Sequence, residues 1–191
     1  STSQKPRAGT ACGHSGAINH PRKRQESQKS LPRIPLVADF AGFAAAGRDL
    51  YQLHRGYETA QPYPLDGLNT SPVGNPYEFY AVGEKKMRYV GSGADKDHSS
   101  IRFNDRITLA GIPEEAHRYR LGSRSAVDWI IDRYHVKTDK NSGIVNDPNA
   151  WSREVGDPRY ILDLLARVVT VSLETMTIVD SLPPLDIRDQ Q

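Results

Sequence analysis

Cysteine, long apolar runs and the signature loops of nucleotide chemistry are what this sequence has least of, and each shortage removes a class of function. Cys12 is the single cysteine in 191 residues, so no internal disulfide can form and a reducing cytoplasm is the simplest setting. No apolar stretch approaches the roughly 18 residues that cross a membrane, and the N-terminus has no apolar signal-peptide core, so no membrane partner is expected. No Gly-rich loop ends in Gly-Lys-Ser/Thr, which argues against nucleotide hydrolysis by this chain alone; Gly91-Ser92-Gly93 reads as a short turn. The histidines stand apart at 14, 20, 54, 98, 117 and 135, without an i, i+4 pair or a cysteine partner, so neither a metal nor a cofactor is expected.

Apolar residues make up 37% of the chain, below the usual globular share, which predicts that part of it stays outside a core. Residues 1 to 33 carry seven Lys or Arg against one acid, a charge of +6. Because the whole chain carries +2, residues 34 to 191 carry −4. The basic character therefore belongs to the tail, and any surface for a polyanion on the folded part must be a local patch. Residues 1 to 30 show no helical or strand period and read as a flexible tail.

Helical spacing begins after Pro35. Phe40, Phe43, Ala44, Gly47, Leu50, Tyr51 and His54 share a face, with Asp39 as N-cap, which predicts a helix over 39 to 56 and His54 as a packed, hydrogen-bonded residue. Prolines and glycines make 60 to 76 a connection. Aromatic and β-branched runs predict a hairpin of Tyr77–Val82 with Met87–Val90, then short strands at Ser100–Phe103 and Arg106–Leu109. A helical turn is expected at Pro113–His117, followed by a helix capped by Ser125, with Val127, Ile130, Ile131 and Tyr134 on one face and Trp129 beside it. Residues 137 to 157 read as a polar loop. The clearest element is last: Asp157 caps, Pro158 takes the first helical position, and Ile161, Leu164, Leu165, Val168, Val171, Thr175 and Ile178 keep the period until Pro183 and Pro184. Together these predict an α+β domain in which a small, mainly antiparallel sheet packs against the first and last helices. Trp151, like Trp129, is expected in the core or at a docking contact.

Several motifs resemble catalytic ones without their context. Asn75-Pro76-Tyr77 is similar to the Asn-Pro-Pro-Tyr motif of amino-methyltransferases, but one proline and the glycine-rich cofactor loop are missing, and it reads as a turn. Asp95, Asp97 and His98 with Lys96 could be drawn as a nuclease cluster, yet in a Gly-rich stretch they read as solvated turn residues.

Four stretches carry a wider resemblance. They are Leu31-Pro32-Arg33-Ile34-Pro35 with Ala46-Gly47-Arg48-Asp49-Leu50; Asn104 to Leu109 running on to Gly111-Ile112-Pro113; Ala126 to Tyr134 followed by Val136 to Lys140; and Ser142 to Asn149. The helix start at Gly156 to Leu164 joins them. From about Leu31 to Pro184 the chain resembles the C-terminal specificity domain of Type ISP restriction-modification enzymes, large bacterial single polypeptides often labelled helicases. The resemblance implies a non-catalytic domain that chooses the double-stranded DNA site for an adenine methyltransferase and an ATP-dependent translocase and nuclease in the same polypeptide. It divides the chain into a tail over 1 to 30, the recognition domain over 31 to 184, and a C-terminal tail over 185 to 191.

The resemblance brings no contact residues, so these come from the chemistry of phosphates and base edges. Lys85, Lys86 and Arg88 form the densest basic cluster of the folded region, which Lys96, Arg102 and Arg106 could extend. Arg118, Arg120 and Arg124 make a second, and Lys137, Lys140, Asn141, Asn146 and Asn149 lie on one polar segment. Pairing of Asp128, Asp132 and Asp139 with Arg133, Lys137 or Lys140 would reduce these to solvated surface. A docking module whose apolar helices pack on a neighbouring domain is the alternative.

The basic tail, with its +6 over residues 1 to 33, predicts salt-sensitive, sequence-independent duplex association. Deleting residues 1 to 30 should flatten the dependence of log K on log salt and leave the melting temperature nearly unchanged, as read by titration and thermal unfolding.

Overall fold

The computed structural model of the protein describes residues 37 to 186. The expectations for residues 1 to 36, including Cys12 and the Leu31–Pro35 lead-in, and for 187 to 191 fall outside the described residues. The chain divides into a unit of residues 39 to 184 and a unit of the two chain ends. Of the latter, Ala38 N–H donates to the Asp186 carbonyl at 3.1 Å. Everything below concerns residues 39 to 184.

The last helix organises the core. It runs Tyr160–Asp180 (α5) and buries Ile161, Leu162, Leu164, Leu165, Val169 and Val171. Its centre, Val168-Val169-Thr170-Val171, is β-branched and a poor helix former by itself, so burial and not propensity holds it helical. Each such side chain taken out of water contributes about 1.5 to 3 kcal/mol before entropy is subtracted. The helix starts two residues later than the capping pattern suggests. Asp157 Oδ1 accepts from Arg159 N–H at 2.9 Å, closing a turn through Pro158, and α5 follows.

The first helix, Phe40–Arg55 (α1), has the expected cap, Asp39 Oδ1 accepting from Gly42 N–H at 2.9 Å. It lies along α5 but buries no residue fully, and Phe40 and Tyr51, placed by periodicity on its packing face, are 69% and 60% exposed. His54 is half-buried as expected, its Nε2 3.0 Å from Thr175 Oγ1 and its ring stacked on Tyr119.

The sheet differs from expectation in its partner. Residues Pro76–Phe79 form a short helix (α2), not a strand: the Asn75 side chain accepts from Tyr77 N–H at 3.0 Å and Pro76 takes the first turn. A capping Asn followed by Pro sets a helical turn that overrides the β preference of the aromatics. Strand β1, Arg88–Val90, therefore pairs antiparallel with β2, Asp97–Arg102, which pairs with β3, Thr108–Leu109. Tyr89, Ile101, Phe103, Ile107 and Leu109 enter one core with Met87, Val127 and α5. Gly67 (φ +83°) lets this connection pass against the Thr108 carbonyl, where a Cβ would collide, and Asp66 bridges to Ala110.

A 3-10 turn, Glu114–Arg118, leads into the β4–β5 hairpin (Arg120–Leu121, Arg124–Ser125) and helix α3, Ala126–Arg133. Ser125 caps α3 as expected, and Asp128 completes a capping box: Ser125 Oγ accepts from Asp128 N–H at 3.1 Å and Asp128 Oδ2 from Ser125 N–H at 3.0 Å. Tyr89 Oη donates to the other Asp128 oxygen at 2.9 Å, tying the cap to β1. The segment expected as a polar loop is ordered twice over, into a hairpin of β6, Lys137–Thr138, with β7, Val145–Asn146, and a helix Asn149–Glu154 (α4). Its polar side chains bond one another locally, which periodicity in apolar residues does not register.

Two asparagines hold the segment between α2 and β1. Asn149 is buried; its Oδ1 accepts from Val82 N–H at 2.9 Å, and its Nδ2 donates to the Val82 carbonyl at 2.9 Å and to Asp147 Oδ1 at 2.7 Å. Asn104 Nδ2 donates to the carbonyls of Phe79 and Ala81 at 3.0 and 3.1 Å, while its Oδ1 accepts from Arg106 and Ile107 N–H groups at 2.9 and 2.8 Å.

Asn149→Ala, which strands both backbone groups of buried Val82, is expected to cost about 2 to 4 kcal/mol in urea unfolding. Asn149→Asp conserves shape but faces a carboxylate with the Val82 carbonyl and Asp147, and should cost at least as much. A mild effect of Asp beside a large effect of Ala would show that volume, not the paired hydrogen bonds, is what the site needs.

Candidate nucleic-acid interface

The densest basic cluster of the folded region becomes part of the lining of one open cleft of about 680 Å³, where Lys85, Lys86, Arg88, Arg102 and Arg106 stand with the acids Glu84 and Asp105. Strand register produces part of this. Arg88 lies directly opposite Arg102 on β1 and β2, while their neighbours Tyr89 and Ile101 go into the core. Like charges directly across a sheet destabilise it, a cost that favours an anion over that face. Asp105 offers slight compensation, 3.9 Å from both Lys85 and Arg102 and largely exposed. Arg106 is held in place, its Nη1 donating to the Glu78 carbonyl at 2.8 Å with the guanidinium over Phe79.

A second depression of about 440 Å³ shares Arg88 and adds Lys96 and Arg124, with Asp128 and Asp132 on its wall. Lys96 Nζ sits 4.7 Å from the Tyr89 ring centre. Asp132 joins the two hollows: it pairs with Lys86 at 2.8 Å and with Arg124 at 3.0 Å. Hydrogen bonds from Lys86 and then Arg124 hold its carboxyl down to about 2. The aspartates thus find other partners than Arg133, Lys137 and Lys140. Asp128 is lowered as well: burial alone would raise it, but hydrogen bonds from Ser125 and Tyr89 outweigh burial. Burial, and then the same hydrogen bond to Asp128, pushes the Tyr89 hydroxyl far up.

The hairpin of β6 and β7 is rooted at this cleft, because Val136 N–H donates to the Gly83 carbonyl at 2.9 Å. It carries Lys137, Lys140, Asn141 and Asn146, all exposed, and neither lysine forms an ion pair with another described residue. Asn149 does not belong with them. Its amide is spent on Val82 and Asp147 inside the protein, so the expectation that it reads a base is corrected.

The second sequence cluster does not act as a unit. Arg118 makes a two-pronged bond to Asp180 at the end of α5, both at 2.8 Å, and Arg120 bonds the Ser123 carbonyl in its own turn. Only Arg124 reaches the basic surface. Arg133, absent from the sequence candidates, joins it by placing its guanidinium 5.0 Å from the Trp129 ring on the face of a half-buried indole that Arg124 also approaches at 5.4 Å. Trp129 Nε1 donates to the Leu121 carbonyl, as a docked residue should. Trp151, by contrast, is 47% exposed, with its edge on Tyr160, and is not a core residue.

The decoy clusters resolve into local structure. Asp97 Oδ1 accepts from Ser99 N–H and Oγ at 2.9 and 2.7 Å, and His98 packs on Tyr89 and His117. Among the described residues no group of three His, Cys, Asp or Glu could hold a metal ion, and no helix is long and apolar enough to cross a membrane.

Because the Asp132 value lies below the usual 3.8, its ion pairs are fully formed above that value and dissolve only as pH falls through about 2. A carboxyl-carbon NMR titration should show Asp132 still ionised at pH 3, and Lys86→Ala or Arg124→Ala should each move its midpoint upward. A midpoint unmoved by both would mean that the pairs do not form in solution.

The model for the Type ISP C-terminal specificity domain matches residues 24–164. Among solved structures, a nuclease-deletion mutant of the Type ISP restriction-modification enzyme LlaGI in complex with a DNA substrate mimic superimposes with a TM-score of 0.73 at 38% identity, covering 90% of this chain and 13% of that one. The ATP-dependent Type ISP enzyme LlaBIII bound to DNA gives 0.66 at 38% identity over 84% of this chain and 10% of that one. A DrdV–DNA complex gives 0.63 at 30% over 88% and 16%. Comparison with curated protein sequences found no match. The chain therefore spans a small fraction of these much longer polypeptides, and a match over most of its length, with an α+β fold shared at 38% identity, makes it a member of the Type ISP C-terminal specificity domain family.

Proposed function

We propose that this domain recognises double-stranded DNA and supplies target choice to the methyltransferase and ATP-dependent translocase of a longer restriction-modification polypeptide, without chemistry of its own. The observation that carries the reading is the cleft in which Lys85, Lys86, Arg88, Arg102 and Arg106 converge on a domain whose overall charge is negative. Concentrating cations on one face of an acidic body orients a polyanion instead of merely attracting it. In this reading the cleft anchors phosphates, while the hairpin rooted at Gly83 brings Asn141 and Asn146 toward base edges. Similarity over 84 to 90% of this chain to LlaGI, LlaBIII and DrdV, whose structures hold DNA or a DNA substrate mimic, supports it.

One observation favours an additional role. The outward Phe40 and Tyr51 of α1 are large, apolar and exposed, as a surface that packs on a neighbouring domain would be.

Charge changes of opposite sign test the DNA reading. Replacing Lys85, Lys86 and Arg88 by Ala should weaken duplex binding and reduce the salt slope by up to about 0.9 per lost phosphate contact. Asp132→Asn, which frees Lys86 and Arg124 from their counter-charge, should tighten binding at low salt and lose that gain as salt rises. Duplex affinity that ignores both changes, while Phe40→Ser with Tyr51→Ser abolishes association with the rest of the polypeptide, would replace recognition with docking.

A further inference from the structure

The hairpin of β6 and β7 presents two consecutive aliphatic side chains to solvent, Ile144 at the end of the turn at 68% and Val145 in β7 at 58% exposure, in a stretch otherwise made of Lys, Thr, Asp, Asn, Ser and Gly. The tip is rigid. The Asp139 carboxylate accepts from Asn141 N–H, Ser142 N–H and Ser142 Oγ at 3.0, 2.8 and 2.9 Å. Asp139 N–H donates to the Ile144 carbonyl at 2.8 Å, and Gly143, at φ +70°, returns its N–H to the Asp139 carbonyl. Such backbone ordering before binding reduces the entropy lost when the hairpin docks. Its root is bonded to Gly83 at the basic cleft, so phosphates held there would fix its register along a duplex.

We propose that Ile144 and Val145 are specificity-determining residues that contact the C5 methyl group of thymine in the major groove. The inference rests on the recognition reading above. The major groove is wide enough, at about 12 Å, for a two-stranded ribbon, and the thymine methyl is the one aliphatic group a base edge offers there. Lys137 and Lys140, exposed on the same hairpin, favour a polyanionic partner over an apolar protein surface.

The test incubates the full chain with a pool of random-sequence duplexes and sequences the bound fraction, in parallel with a pool in which uracil replaces thymine. Wild type should select thymine at one or more positions by about fourfold, the value of one methyl group removed from water. That selection should vanish in the uracil pool, and also for Ile144→Ser or Val145→Ser in the thymine pool, with bulk affinity retained. Both variants should melt with wild type, since the positions are exposed. Wild-type selection that persists with uracil, or variants that select as wild type does, would overturn the inference and leave recognition standing. Wild type with no sequence preference at all would overturn the recognition reading and this inference with it.

Discussion

Everything the surface offers depends on how Phe79 to Gly83 is held. This segment belongs to no strand, so its backbone groups need partners from elsewhere, and two asparagine amides provide them. Asn149 meets both the N–H and the carbonyl of Val82, as a neighbouring strand would, and Asn104 takes the carbonyls of Phe79 and Ala81. Val136 completes the fastening at Gly83. An amide carries a donor and an acceptor in one plane, so it can replace one rung of a ladder where a strand would not fit. Because Asn149 follows the hairpin and Asn104 lies between β2 and β3, the same bonds bring the sheet, the Lys85–Lys86 loop and the hairpin to one place.

Electrostatics then sort the cations by whether a partner is within reach. Arg118 is consumed by Asp180 and Arg120 by its own turn, so neither projects into the cleft. Arg88 and Arg102 face each other across the sheet with weak compensation, and Lys137 and Lys140 have no described ion-pair partner. Asp132 stands between these extremes, holding Lys86 and Arg124 in position at the cost of their net charge. Ion pairs in solvent contribute little stability, so its larger effect is to orient two long side chains that would otherwise sweep freely.

The division between scaffold and surface follows the usual logic of binding proteins, in which a packed frame carries variable loops. Here α5, α3 and the inner face of the sheet form the frame, packed through one apolar core, with α3 tied to β1 by the Tyr89–Asp128–Ser125 network. The hairpin contributes almost nothing to that core. Substitutions at its exposed positions therefore leave the core packing intact.

The sequence by itself determined the elements whose apolar residues recur with a regular period: α5, α3 with its Ser125 cap, α1, and the strands around Tyr89 and Ile101. It also located the cluster at Lys85, Lys86 and Arg88, and its motifs in order along the chain carried the family. It misread Tyr77 to Val82, where the local Asn75-Pro76 cap overrode strand-like composition, and with it the pairing partner of β1. Only the tertiary structure decided which polar residues are free. Asn149 and Asn146 look alike in sequence, yet one is locked to Val82 and the other is exposed, and Lys86 finds its carboxylate on α3. The reason is separation along the chain. Burial of an apolar face repeats locally and leaves a period to read, whereas a hydrogen bond spanning 67 residues, or an ion pair spanning 46, exists only once the chain has folded.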